Sequence, residues 1–360
     1  MVRFTVLASG SKGNSAIVSS CPSGTSQRGS TACTRILVDA GLSCRELFRR
    51  MRLVGEDPAT LDAILITHEH QDHINGLAVT ARKLGIPVYF TEATHRAWVR
   101  QVTPQRRITY AQWAEQYAQK KAASQPFTHP ATHPGHPFPQ PDPEPDPAPE
   151  PDPVPDPAPA LAEVLASESC AEPNSAGPRF AEPNLVETGP DPARLPAVNY
   201  FRAGEAFSIG DVAISPFTIP HDAADPVGFV FSAEGVRLAI ATDLGYMPPN
   251  VQAQLRRCDL IMLESNHDLE MLRDGPYPWS VKQRVLSRVG HLSNDAASAY
   301  LEQTYDGSAT YLILAHLSES NNLPELARLA AERALTTKPS LLANRLYLAS
   351  QHEPLEPVCF

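Results

Sequence analysis

The stretch ILITHEHQDH, residues 64–73, ends an apolar run with three histidines and an aspartate inside six residues. Apolar continuity and β-branched content make "AILIT" a short buried strand. His68 and His70 lie just past its end, two residues apart, so an extended chain points both the same way. Asp72 and His73 follow where a helix should begin, and an aspartate suits that first turn. Two imidazoles are thereby offered to one metal, and a carboxylate with an imidazole to a second nearby. Nitrogen and oxygen donors of this kind suit Zn²⁺, with Mn²⁺ or Fe²⁺ as alternatives.

Three other strand ends have the same character. "SPFTIPHDAADPVGF" places His221 just past a strand, "RLAIATDLG" places Asp243 at the end of another, and "YLILAHLSESNN" does so for His316. A lone histidine at a strand end is ordinarily packed or solvated. Four such ends, one of them H-x-H-x-D-H, point to a metal centre.

The strands around these ends fit an α/β protein. Before the middle of the chain, strands are expected at 3–8, 15–19, 35–39, 63–67 and 88–90, with helices at 44–52, 73–84 and 92–99. After it, strands are expected at 206–209, 212–218, 227–232, 236–242, 260–264 and 310–314. Helices are expected at 250–256, 280–289, 294–303 and 324–334, and "LYLASQ" would be a closing strand. Runs of strands on both sides, with helices between and after them, suit two sheets packed face to face with helices outside.

The 360 residues suffice for one large domain, and no apolar run is long enough for a transmembrane helix, so no membrane association is expected. The start, "MVRFTVLASGSKGN", has the character of a first strand and not of a signal peptide. Six cysteines are scattered without a C-x-x-C pair, which suggests a reducing compartment, although Cys21 and Cys33 could bracket a loop. The net charge of −10 belongs entirely to residues 126–196, which carry twelve acidic residues against Arg179 and Arg194. The folded part is therefore neutral and neither favours nor excludes a polyanionic partner.

Within that segment, "PFTHPATHPGHPFPQPDPEPDPAPEPDPVPDPAPA" runs from 126 to 160. Alternate prolines remove backbone donors and fix φ, so neither helix nor sheet can propagate. Residues 126–196 are expected to be a disordered insertion in one domain spanning 1–360, with a short helix at 161–167. His129, His133 and His136 could bind metal only weakly there. The segment is also the candidate docking site for a protein partner.

The order "ILVDAG", "THEHQDH", His221, Asp243, His316 resembles the metallo-β-lactamase superfamily. That resemblance implies a four-layer αββα sandwich with the metals at one edge of the sheets. It implies that His68, His70 and His221 hold a first metal, that Asp72, His73 and His316 hold a second, and that Asp243 bridges them. Asp39 matches an acidic position that buttresses the ligand loop. The superfamily's di-iron oxygen-reducing branch carries Glu at the position of His70, so His70 implies hydrolysis.

"LASGSKGNS", "HDAADPVGF", "GHLSN" and "AHLSESNN" together resemble the WalJ/YycJ-like proteins, bacterial cytoplasmic hydrolases related to ribonuclease Z and linked to 5′-to-3′ exodeoxyribonuclease activity. The proline-rich insertion departs from that pattern, and no tRNA-gripping arm is recognisable. Two cations about 3.5–4 Å apart form a template for phosphodiester hydrolysis. His291 in "GHLSN" resembles the proton-handling histidine of the ribonuclease Z branch, although it could simply precede a helix capped by Ser293 or Asn294. Asp72 and His291 are the candidate catalytic residues. "SGSKGN" could offer backbone N–H groups and Lys12 to a phosphate, or be a tight turn. His267 in "ESNHD" could approach the site or lie on a surface loop.

The expected function is that of a cytoplasmic, dinuclear hydrolase of phosphodiester bonds, acting on nucleic acid and most readily DNA. Thioester or lactam hydrolysis on the same scaffold is the enzymatic alternative. A regulatory or scaffold protein using 126–160 is the other.

Overall fold

The computed structural model describes residues 1–21, 33–103, 114–115, 191–336 and 345–360. Contacts group Met1–Pro104 with Thr188–Phe360 in one compact unit and Gln105–Glu187 in another. All elements named here belong to the first. The expected insertion, its helix at 161–167 and its three histidines lie outside the described residues, apart from 191–196. There, Ala193 and Leu195 pack against the core and Arg82 Nη1 donates to the carbonyls of Pro192 and Arg194.

Two seven-stranded sheets form among the described residues. The first runs in the order β14 (Val358–Cys359), β1 (Val2–Ala8), β2 (Ser15–Ser20), β3 (Thr34–Val38), β4 (Ala63–Leu65), β5 (Val88–Phe90) and β6 (Val198–Tyr200). The second runs β13 (Arg345–Leu348), β12 (Tyr311–Ala315), β11 (Leu260–Glu264), β10 (Val236–Ala241), β9 (Val227–Ala233), β8 (Val212–Thr218) and β7 (Phe207–Ile209). The helices are α1 (Cys44–Leu53), α2 (Gln71–Ile74), α3 (Leu77–Leu84), α4 (Glu92–Val102), α5 (Pro249–Gln254), α6 (Leu269–Asp274), α7 (Trp279–Val285), α8 (Asn294–Gln303) and α9 (Pro324–Thr336).

Three apolar clusters mark three interfaces between four layers. The central one joins Phe4, Val18, Ile36 and Leu65 of the first sheet to Phe229, Phe231, Ile240 and Ile313 of the second. Alternate residues of the same strands face outward. Ile17, Leu37 and Ile64 meet Leu47 and Met51 of α1, Leu77 of α3 and Trp98 of α4. On the far side, Val230, Ala239, Ile261 and Leu312 meet Val251 of α5, Leu301 of α8 and Ala327 of α9. Strands buried on both faces read as continuous apolar runs, which is why these segments carry so few polar residues. Each buried Phe, Leu or Ile contributes roughly 1.5–3 kcal/mol against the entropy of ordering the chain. The αββα sandwich expected from the sequence is the architecture observed.

Several boundaries differ. The helix expected at 73–84 is broken between α2 and α3, because Gly76 donates its N–H to the Ala40 carbonyl. A side chain there would put Cβ 2.0 Å from the Leu42 carbonyl oxygen. Edge strands β6 and β14 and helix α6 were not foreseen. Cys21 and Cys33 are joined by a disulfide just past the Ser20–Thr34 pair, at the connected end of β2 and β3. That pairing removes two of the six cysteines from the case for a reducing compartment. Among the described residues no helix is long and apolar enough to cross a membrane.

β3 and β4 run parallel, as do β10, β11 and β12, so their carboxyl ends emerge along one edge. Ligands of open α/β sheets bind outside such ends.

Candidate metal centre

Each of these strand ends delivers a polar side chain to the same place. Asp39 follows β3, His68 lies three residues past β4, Asp243 two past β10, and His316 follows β12. Asp39, Asp243 and His316 take left-handed backbone conformations, with φ of 58°, 62° and 57°. Non-glycine residues rarely adopt this region. Here it turns the chain sharply at the sheet edge and aims each side chain across it.

Asp39 acts as the buttress expected of it. One carboxylate oxygen accepts the Thr67 backbone N–H at 2.9 Å, and the other accepts the Thr67 hydroxyl and His73 Nδ1–H, both at 2.8 Å. With Nδ1 committed, His73 presents Nε2 to the site. Gly41 lets the two loops meet, since a Cβ there would lie 1.7 Å from the Asp72 carbonyl oxygen. The Asn14 amide donates to that carbonyl at 2.7 Å, and Asn14 Nδ2 donates to the Asp72 carboxylate at 3.0 Å. The "SGSKGN" loop thus holds Asp72 in place. Lys12 is turned to Glu319 at 2.6 Å.

Two donor sets result. In the first, His70 Nδ1 lies 3.1 Å from His68 Nε2 and 3.2 Å from His221 Nε2. His221 Nδ1–H donates to the Gly290 carbonyl at 3.1 Å, so its Nε2 carries a lone pair. Burial, reinforced by neighbouring imidazoles, holds His68 well below the ordinary histidine range, and burial lowers His221 as well. Three imidazole nitrogens converge with too few protons to join them, the arrangement a cation satisfies.

In the second set, Asp72 Oδ2 lies 3.4 Å from His73 Nε2 and 3.5 Å from His316 Nε2. Asp243 stands between the sets. Its Oδ2 is 3.5 Å from His73 Nε2 and its Oδ1 is 3.9 Å from His221 Nε2. Asp243 Oδ2 and His316 Nε2 are buried without a hydrogen-bond partner. Burial opposes ionisation of Asp72, yet His73 and His316 hold its pKa well below the carboxylate range. Burial likewise opposes charge on His73 and His316, but the surrounding carboxylates raise both well above the ordinary value. Orphaned ligand atoms and surplus buried carboxylate fit metal binding: His68, His70 and His221 could hold an ion, as could Asp72, His73 and His316, and Asp243 groups with His68 and His73.

Glu264 was not singled out by sequence. It ends β11 and is fully buried. Its Oε1 accepts from His291 Nδ1 at 2.8 Å and from His316 Nδ1 at 2.9 Å. Its Oε2 accepts the backbone N–H groups of Leu244 at 2.5 Å and Leu292 at 3.2 Å. Asp243, Glu264, His291 and His316 also lie close enough to hold an ion. Glu264 is already saturated by four donors, so that cluster is a hydrogen-bond network centred on a carboxylate. Glu69 accepts the Ala224 N–H at 2.8 Å and secures the loop that carries His221.

His291 has 21% of its side chain accessible, and Ser293, two residues on, caps α8. It both precedes a capped helix and faces the site. A cavity of about 310 Å³ opens over His70, Asp72, Asp243, His291 and His316, with Ser11, Gln71 and Arg284 completing its lining. His267 does not reach that cavity. It is buried, its backbone bridged to Ser293 and its carbonyl accepting the Asn294 N–H, with both ring nitrogens unpartnered.

A protein of Bacillus anthracis named exodeoxyribonuclease YycJ is 29% identical over 340 residues, covering 94% of this chain and 90% of that protein. Exodeoxyribonuclease WalJ of Streptococcus pneumoniae is 28% identical over 327 residues, covering 91% of this chain and 86% of its own. Among solved structures, the metallo-β-lactamase fold protein YhfI of Bacillus subtilis superposes with a TM-score of 0.53 at 12% identity, over 99% of this chain and 100% of that one. The β-lactamase superfamily domain profile matches residues 34–145 and 172–317, well over half of the chain. With its sandwich fold and its histidine- and aspartate-lined sheet edge, this chain belongs to the β-lactamase superfamily.

Proposed function

We propose that this chain is a metal-dependent hydrolase of phosphodiester bonds in nucleic acid, a DNA exonuclease working from the 5′ end, with two divalent cations. Zinc suits the donor set best, with manganese or iron as alternatives. The observation that carries it is the position of Asp243 between two donor sets under the same cavity that His291 lines. The curated relatives named exodeoxyribonuclease favour nucleic acid, and DNA, as the substrate. The cytoplasm is the proposed compartment, where such a substrate is found.

Bound cations supply Lewis-acid polarisation of the phosphoryl group and acidify the attacking water. The chain's own residues do the rest. Asp72, 21% accessible, is the more exposed of the two carboxylates lining the cavity and accepts a hydrogen bond from that water. The water oxygen would bond to phosphorus as its proton passes to Asp72 and the bond to the sugar oxygen breaks. A sugar alkoxide is a poor leaving group and needs a proton. His291 Nδ1 is committed to Glu264, which leaves Nε2 to deliver that proton, a role worth about 10²–10⁴-fold.

The test compares leaving groups. His291→Ala should lose most activity on DNA and keep much of it on a p-nitrophenyl phosphodiester, because nitrophenolate leaves unprotonated. Equal losses on both substrates, or no loss on DNA at unchanged metal content, would remove His291 as the donor.

A further inference from the structure

Between β11 and α8, residues 273–289 bury no side chain. Helix α7 has no buried residue. Trp279 is 66% exposed, and Leu269, Val281, Leu286 and Val289 are exposed with it. These are five of the eleven exposed large apolar residues among the described ones. Exposing a tryptophan on a helix that buries nothing has no benefit for folding. Residues 273–288 also carry four basic residues, Arg273, Lys282, Arg284 and Arg288, against the single acidic Asp274, in a chain of net charge −10.

The segment is fastened to the metal centre. His291 N–H donates to the Val285 carbonyl and Asp222 N–H to the Val289 carbonyl, both at 3.0 Å. His221, of the three-histidine set, rests on the Gly290 carbonyl. Gly245, two residues past Asp243, lies against the Arg288 backbone, where a Cβ would approach to 2.2 Å. Arg284 lines the cavity and is ion-paired with Asp222. Arg273 pairs with Asp274. Lys282 Nζ donates to the Arg273 carbonyl, and Arg288 stacks over the Tyr246 ring. Among the described residues neither Lys282 nor Arg288 forms an ion pair with a carboxylate, so their charge is available to another partner.

We propose that α7 and its flanks form the binding platform for a single-stranded polynucleotide whose end enters the cavity, with Trp279 stacking an unpaired base and Lys282 and Arg288 facing its phosphates. An exposed ring beside cations is what sequence-tolerant binding of a single strand requires, since every base offers a π-face and every link a negative charge. Five residues of helix separate Trp279 from Arg284 at the cavity, about 7.5 Å along the axis. That spans about two nucleotides of a stacked strand. A paired duplex keeps its base faces covered and has nothing to offer the ring. The proposal rests on the nuclease function proposed above and extends it to how the strand is held.

Zinc-loaded wild type, Trp279→Ala, Trp279→Phe and Lys282→Glu proteins would be titrated into a fluorescent single-stranded phosphorothioate oligonucleotide, with anisotropy read at several salt concentrations. Turnover of DNA and of bis(p-nitrophenyl) phosphate would be measured alongside. Trp279→Ala should bind the oligonucleotide about 5- to 150-fold more weakly, and Trp279→Phe should recover most of that loss. Lys282→Glu should flatten the dependence of log K on log salt by about 0.7 or more. For Trp279→Ala, the fall in DNA turnover at low substrate should exceed the fall on the small ester by about the same factor as the binding loss, at least about fivefold. Wild-type affinity in Trp279→Ala, or equal losses on both substrates, would overturn the platform while leaving the nuclease function standing. A wild-type protein that hydrolyses the ester but neither binds nor cuts any oligonucleotide would overturn both.

Discussion

His267 offers a measurement of the low-dielectric ground on which the centre is built. Its side chain is 1% exposed, its ring nitrogens have no partners, and burial lowers its pKa to about 4 from 6.5. An imidazole that resists protonation when folded binds protons more readily in the unfolded chain. Its contribution to stability is therefore fully present above pH 6.5 and erodes as pH falls through 6.5 toward 4. Linkage gives a loss of about 2 kcal/mol at pH 5 and only about 0.2 kcal/mol at pH 7. His267→Leu keeps the volume close, removes the titration and removes the unpartnered nitrogens. The variant should gain on wild type by about 2 kcal/mol more at pH 5 than at pH 7. Urea unfolding of both proteins at pH 5, 6 and 7, with chelator throughout so that metal loss is common to both, reads this directly. A gap between variant and wild type that is constant with pH, or that narrows on acidification, would refute the reasoning.

Three further outcomes are expected. Glu264→Gln places an amide NH₂ against groups that are all donors, and should cost about 3–5 kcal/mol in urea unfolding together with most DNA turnover; a variant as stable as wild type would show that the carboxylate is not the hub. Asp243→Ala should lower the content of both metals in elemental analysis, since one carboxylate faces both donor sets; full occupancy would exclude the bridging assignment. Gly41→Ala must push the Asp72 loop away from the "SGSKGN" loop, so metal content should fall at unchanged secondary structure, and wild-type content would contradict the close approach as the reason for glycine.

The legible part of the site was the part coded by local pattern. His68, His70, Asp72, His73, His221, Asp243 and His316 follow the ends of apolar runs, where a polar side chain has no packing reason to be, and the fold gathers them at one sheet edge. Glu264 stands at such an end too, but as a single acid closing "LIMLE" it has no local partner. Its role comes from Leu244, His291, Leu292 and His316, which only the folded chain brings to it. The same distinction holds for the fold. Strands buried on both faces announce themselves by continuous hydrophobicity. β14 has two residues and β6 three, too few for any periodicity. The break at Gly76 is imposed by Ala40 and Leu42, more than thirty residues away, and the helical pattern across it is otherwise intact. α6 was signalled by its N-cap, Asp268, whose side chain accepts from the amides of Glu270 and Met271. At six residues it was too short to show a face.

The left-handed backbone at Asp39, Asp243 and His316 leaves a mark that drift would erase. Each of these residues holds a conformation that glycine or asparagine would adopt at less cost, and it is tolerated only while the side chain is needed. Asp can become Gly or Asn, and His can become Asn, by a single base change. A lineage that kept this sandwich as a scaffold but gave up hydrolysis would gain stability at these corners with its first permitted mutations. Descendants of such a chain should carry Gly or Asn at the three turns before their cores diverge, so a degenerate member could be told from a working one by three codons.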